Sequence, residues 1–177
     1  MRLFVAVGLG DQAREKIASL QDRLKQEMPE LAWVKPENLH ITLKFIGERD
    51  DPGRVATALT KVVFQPFEIK VGGLGAFPNQ RNPRVIWLGA ESGPLSALAK
   101  QVDQALAEIG IPADEHPFHG HVTLARVKRG WKGWDGWGDF QESVAKMPVD
   151  SFDLVDSHLG PSGSRYLTAC KIMAVDI

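Results

Sequence analysis

The sequence predicts an α+β fold made from a duplicated unit, with two equivalent strands placed as symmetry mates across a central cleft and helices on the outside. Three observations predict it. His40-Ile41-Thr42-Leu43 and His121-Val122-Thr123-Leu124 repeat one design 81 residues apart in a 177-residue chain that holds only five histidines. A shuffled chain of this composition would show H-x-T roughly 0.1 times. Both tetrapeptides alternate in the manner of strands: Ile41, Leu43 and Phe45 interleave with His40, Thr42 and Lys44, and Val122 and Leu124 with His121 and Thr123. Each motif also follows a helical stretch, which gives the chain a quasi-repeated order.

Taken in order, Arg2 to Leu9 reads as a strand, and Asp11 starts a helix to about Met28 in which Ile17, Leu20, Leu24 and Met28 recur at helical spacing. The turn-rich Trp33 to Asn38 leads into the first motif strand, which ends at Gly47. A second helix is expected from Gly53 to Val63, then paired strands at Phe67 to Leu74 and Arg84 to Leu88 around the Gly/Pro/Asn-rich connection 75 to 83. Pro94 to Gly110 carries Leu95, Leu98, Val102, Leu106 and Ile109 on one stripe and reads as the third helix. The second motif strand spans Gly120 to Val127. A Gly- and Trp-rich segment, a short helix near Phe140, and strands at Val149 to Asp156 and Arg165 to Val175 complete the chain.

The size, with 44% hydrophobic and 24% charged residues, is that of one globular domain, 1–177, of two lobes sharing a core. A formal net charge of -1 excludes bulk attraction to a polyanion, so any nucleic acid must be met by a local patch. The single cysteine, Cys170, cannot form an internal disulfide and is expected to be a packed thiol in a reducing compartment. The apolar run Leu3 to Leu9 is too short to span a membrane and lacks a cleavable signal pattern, so a cytoplasmic protein is expected.

On a strand, each motif His shares a face with its Thr, with Cβ atoms about 7 Å apart, so an imidazole and a hydroxyl can converge on a phosphoryl-sized group. Two imidazoles suit acid and base work at neutral pH, because the ordinary histidine pKa lies near 6.5. Residue pattern alone does not order the two roles. His116, His119 and His121 admit a metal reading, but no acidic or Cys-rich cluster supports it, and no metal or other cofactor is expected.

Over nearly its whole length the chain resembles the two-histidine phosphoesterases, and among them the RNA 2',3'-cyclic phosphodiesterases, also called LigT-like or 2'-5' RNA ligase-like proteins. The resemblance rests on Arg2 to Ala6, Trp33, Asn38 to Gly47, Phe77-Pro78, Arg84 to Gly89, Phe118 to Arg126, Ser157, Gly163 and Tyr166. His158 and Gly120 depart from the family pattern without touching the motifs. The resemblance implies a bilobal α+β fold with two antiparallel sheets lining the cleft. It also implies metal-independent hydrolysis of a terminal 2',3'-cyclic phosphate to a 2'-phosphate, with His40 as general acid and His121 as base. Thr42 and Thr123 would donate to the non-bridging oxygens, and Arg126 would add a fixed cation. Strict alternation puts Arg126 on the face opposite His121, so a bulge or strand end must turn it. Lys44, on the His40 face, is expected to meet backbone phosphate or to stand solvated at the rim. Phe4 and Phe45 are candidate stacking surfaces, against the commoner role of aromatic residues as core.

Between Arg126 and Trp137, Trp131, Trp134 and Trp137 recur at spacing three among glycines and cations. This reads as a mobile loop in which Trp131 and Trp134 grip an RNA strand; the competing and favoured expectation has the indoles folded back as a cap on the cleft wall. The expected partner is RNA with 2',3'-cyclic phosphate ends, tRNA fragments among them, met by a monomer. The alternatives are ATP-independent 2'-5' ligation by reversal of the same chemistry, since no P-loop is present, a non-catalytic RNA-end binding protein, and another cyclic or 2'-5' linked nucleotide substrate.

Overall fold

The computed structural model describes residues 1–176. Strand β1 (Arg2–Gly8) leads to helix α1 (Asp11–Glu27), the short strand β2 (Ala32–Trp33), a 3₁₀ turn (Pro36–Asn38) and strand β3 (His40–Glu48). Helix α2 (Pro52–Leu59), strands β4 (Phe67–Phe77) and β5 (Val85–Gly89), helix α3 (Gly93–Ala107) and strand β6 (His121–Arg126) follow. A second 3₁₀ turn (Gly136–Phe140) precedes β7 (Ser143–Val149), β8 (Ser151–Gly160) and β9 (Gly163–Met173).

The strands run in the order β7-β4-β5-β6-β3-β1-β8-β9, with β2 on β6, and every pairing is antiparallel. They form one continuous nine-stranded sheet and not the two sheets expected, and its thinnest point is the seam between β3 and β6, where the ladder is the single pair Ile41↔Val122. One order of elements occurs twice: β1-α1-β3 and β5-α3-β6 are each a strand, a helix and an antiparallel return to the first strand's side.

The helices bury one stripe against the sheet. In α3 that stripe is Leu95, Leu98, Val102 and Leu106, and Ser92 caps the first turn by accepting from the Leu95 N–H at 3.0 Å. In α1, Ala13, Ile17, Leu20 and Leu24 are joined by a buried polar residue, Gln21. Its amide donates to the carbonyls of Val34 at 2.9 Å and Leu124 at 3.1 Å, so the helix is pinned to the second motif strand by hydrogen bonds as well as apolar contact.

Two expected boundaries shift and one strand is added. Helix α2 ends at Leu59 rather than Val63, because Val62 and Phe64 are drawn into the core from an extended segment. Strand β4 continues through the glycines to Phe77, so the connection expected from residue 75 starts at Pro78. Strand β7 is an addition to the expected elements, although Ala145, Met147 and Val149 alternate inward along it. Its Pro148 is tolerated because β7 is an edge strand, where a missing N–H donor leaves no ladder bond unmade. Cys170 is free and half-buried on β9. No helix among the described residues is long and apolar enough to cross a membrane.

Candidate active site

Both motif strands carry the same irregularity at the same place. Opposite β1, His40, Thr42 and Lys44 pair with Gly8, Ala6 and Val5, so Leu43 is the extra residue of a bulge. Opposite β5, His121, Thr123 and Ala125 pair with Gly89, Trp87 and Ile86, and Leu124 is the extra residue. The bulge breaks the alternation identically in each strand. The first four motif positions are half-buried, buried, half-buried and buried; then a fifth buried residue, Lys44 or Ala125, precedes an exposed one, Phe45 or Arg126.

Residues directly opposite each other in an antiparallel pair share a face. Arg126 lies opposite Val85 and Thr123 opposite Trp87, two residues apart on β5, so the bulge turns Arg126 onto the His121 face. Phe45 is the matching residue of the first half, 54% exposed on the His40 face with the Arg2 guanidinium 5.3 Å from its ring centroid.

At the seam, Ile41 and Val122 both point into the core. Extending their register by one residue each way sets His40 across from Thr123 and Thr42 across from His121. That register puts the four polar residues at the corners of one rectangle on one face, with the histidines on a diagonal.

Each imidazole is oriented in the same way. His40 Nδ1 lies 2.7 Å from the carbonyl oxygen of Asn38, and His121 Nδ1 lies 2.7 Å from that of His119. A carbonyl oxygen only accepts, so Nδ1 carries the proton and Nε2 is the nitrogen that changes protonation state. His40 Nε2 is 3.0 Å from the Thr42 hydroxyl. Asn38 is itself anchored, its amide donating to Ser164 O at 2.9 Å.

Burial pushes the His40 pKa below the ordinary histidine value; the bond to Asn38 opposes this, and the charge of His121 lowers it further. Burial likewise lowers the His121 pKa, against the bond to His119 and with repulsion from the His119 ring. Aromatic walls supply the burial. Phe4 and Tyr166 stand 5.0 and 5.4 Å from the His40 ring, and Phe77 and Trp87 stand 5.0 and 6.2 Å from that of His121. The Trp87 indole lies so close over Gly75 that a Cβ there would come within 2.3 Å of the ring.

Three expectations need correction. Lys44 does not share the His40 face: the Leu43 bulge turns it inward, where it is 2% exposed and its ammonium meets Asp103, Asp114 and the Pro112 carbonyl. Burial works against its charge, but the two carboxylates prevail and hold its pKa above the ordinary lysine value. Phe4 is 5% exposed and packs with Ala6, Val155 and Tyr166, so it is a wall for His40 and not an open stacking platform. Trp131 and Trp134 fold back on the end of α1, their indole N–H groups donating to Glu30 at 2.7 Å and Glu27 at 3.4 Å. Trp134 also packs on Trp137 and Phe140, so the indoles fold back, but onto the end of α1 and not as a cap on the cleft wall.

Residues that motif reasoning passes over as site members are Asn38, Tyr166, Phe77 and Trp87, while His119, expected at the rim, holds the His121 ring. Asn38 and His119 have a signal, since each stands two residues before a motif His. His119 contributes its carbonyl, while its own ring meets Glu91 at 3.2 Å. Among the described residues, no three His, Cys, Asp or Glu side chains gather as a metal-binding group.

The chain matches the family model described as LigT like Phosphoesterase twice, over residues 7–87 and 88–166, one motif in each match. It is 42% identical to an RNA 2',3'-cyclic phosphodiesterase of Archaeoglobus fulgidus over 94% of this chain and 96% of that one. In structure it is similar to a protein of Thermus thermophilus, with a TM-score of 0.86 and 30% identity over 98% of this chain and 97% of that one. It is also similar to E. coli LigT complexed with 3'-AMP, with a TM-score of 0.80 and 25% identity over 99% and 98% of the two chains.

Proposed function

The chain belongs to the LigT-like phosphoesterase family, and from that membership we infer that it is an RNA 2',3'-cyclic phosphodiesterase, opening the terminal cyclic phosphate to a 2'-phosphate. The observation that supports the mechanistic reading is the pair of imidazoles, each held with Nδ1 on a backbone carbonyl so that Nε2 is the nitrogen left for proton transfer, that of His40 lying beside the Thr42 hydroxyl.

Water attacks phosphorus as the bond from phosphorus to the 3' oxygen breaks. His121 Nε2 takes the proton of the attacking water, and His40 Nε2, protonated at the outset, delivers its proton to the departing 3' oxygen. The family resemblance orders the two roles. The bound phosphodiester is an anion, and its charge favours protonation of one neighbouring ring despite the burial that lowers both pKa values. Thr42 and Thr123 hydroxyls donate to the non-bridging oxygens, and Arg126, turned to this face by the Leu124 bulge, stabilises the charge that grows there. The enzyme acts as a monomer on the ends of RNA fragments, without a metal.

The test is hydrolysis, in EDTA, of an RNA oligonucleotide ending in a 2',3'-cyclic phosphate by wild type, His40→Ala and His121→Ala, separating 2'- from 3'-phosphate. Turnover to the 2'-phosphate, reduced by about 10² or more in each variant, supports the reading. Binding without turnover would make the chain an RNA-end binding protein, and loss of activity in EDTA would bring a metal into the reaction.

A further inference from the structure

We propose that a basic groove beside the histidine site binds internal phosphates of the RNA strand whose end is being hydrolysed, several nucleotides before the cyclic phosphate. This rests on the hydrolase reading above and adds a second contact region to it.

The groove has a volume of about 460 Å³ and lies between the β4–β5 connection, which contributes Arg81 and Arg84, and the segment after β6, which contributes Lys128, Arg129 and Lys132. No Asp or Glu lines it. All five cations are exposed. Among the described residues none of the five is in an ion pair, although Lys25, Lys44, Arg49, Lys61, Lys146 and Lys171 all are. In a chain of net charge -1, five unpaired positive charges around one groove are the local patch that a polyanion requires.

Both walls lead directly from the histidine site. Phe77, from which the first wall departs, is the ring packed on His121. The second wall starts where the motif strand ends: Arg126 pairs with Val85, and the Val127 N–H donates to Arg84 O at 2.9 Å, tying the walls together. Arg126, turned onto the His121 face, stays with the reacting phosphate, and the groove cations follow it in the chain from Lys128 on, where the preceding nucleotides of the strand would run.

The second wall is built, not trailing. Gly130 and Gly133 take left-handed backbone angles, φ 85° and 91°, that bend the segment. The Trp131 indole, fixed to Glu30, holds Lys128 to Lys132 along the groove. Contacts of this kind position a strand without reading its bases, so sequence-independent binding follows.

The test compares wild type with Arg81→Ala/Arg129→Ala/Lys132→Ala on an RNA 12-mer ending in a 2',3'-cyclic phosphate and on a mononucleotide 2',3'-cyclic phosphate. The expected result is a KM for the 12-mer raised tenfold or more with kcat unchanged. The slope of log KM against log salt should be smaller by about 2, from roughly 0.7 per lost phosphate contact on a single strand. The mononucleotide parameters should stay within about twofold. An unchanged KM for the 12-mer, or equal losses on both substrates, would overturn the groove. The milder Arg129→Gln/Lys132→Gln pair reads the same quantities if the triple variant folds poorly. Failure of wild type to turn over either substrate would instead remove the hydrolase reading, and 12-mer binding by anisotropy would still decide the groove.

Discussion

His40 Nδ1 sits 2.7 Å from the carbonyl oxygen of Asn38, two residues back along its own chain, and His121 repeats the contact with His119 at the same distance. The tautomer of each ring is therefore set by backbone, and the Nε2 lone pair faces the shared side of the sheet. We expect ring ¹⁵N shifts of the neutral protein to show both histidines protonated at Nδ1, the minor form of free imidazole. A dominant Nε2-protonated form at either residue would contradict the hydrogen-bond assignment.

The pH dependence follows from the lowered pKa values of both rings. The reaction needs one ring charged and one neutral, and kcat/KM reports the free enzyme. With both values below the ordinary 6.5, the kcat/KM optimum should lie below 6.5, and the alkaline limb of kcat should move upward because the bound anion favours protonation. An optimum of kcat/KM at pH 7.5 or above would count against this. Stability carries the same sign. The unfolded rings bind protons more readily than the folded ones, so the contribution of the neutral rings is complete above 6.5 and is lost as pH falls through the folded values. Thermal unfolding from pH 7.5 to 5 should show that decline, and it should shrink in a His40→Ala/His121→Ala protein.

Arg126 should matter to the chemical step more than to binding. Arg126→Ala should lower kcat by about 10² with a much smaller change in KM, and Arg126→Lys should recover only part of the loss, since a planar guanidinium meets two phosphoryl oxygens where an ammonium meets one. Steady-state kinetics on a mononucleotide cyclic phosphate decide it. A rise in KM alone would demote Arg126 to a rim charge.

Lys44 separates structure from catalysis. Lys44→Met leaves Asp103 and Asp114 facing each other without their cation, but Asp114 is more than half exposed, which tempers the cost. We expect about 1–3 kcal/mol of destabilisation, read as a lower urea midpoint, with kcat and KM within about twofold. A large rise in KM at unchanged stability would return Lys44 to the substrate.

Much of this site is legible in the chain because it depends on spacing. The paired motifs, their preceding helices and the shared His/Thr face follow from periodicity, and stripes such as Leu95, Leu98 and Val102 locate α1 and α3. The bulges are not legible by periodicity, and only the role expected of Arg126 calls for one. A single extra residue at Leu43 or Leu124 leaves no mark in composition, yet it exchanges the faces of everything after it. Strict alternation therefore misplaces Lys44, and it puts Arg126 on the site face only once a bulge is supplied. Strand β7 alternates regularly through Ala145, Met147 and Val149, but Pro148 reads as a strand breaker until pairing with β4 places it on the sheet's edge. The glycine-dense end of β4 resembles a loop until Trp87 is seen lying across Gly75.

The lone rung Ile41↔Val122 has a further meaning for how such a protein can diversify. The neighbours of that rung on each strand are the reactive residues themselves, so their mutual placement depends on main chain at one point and not on the side chains of either half. The two strands accordingly differ just past that point, with a buried lysine and an exposed phenylalanine in one where the other holds alanine and arginine, while His40 and His121 keep the same position beside the rung.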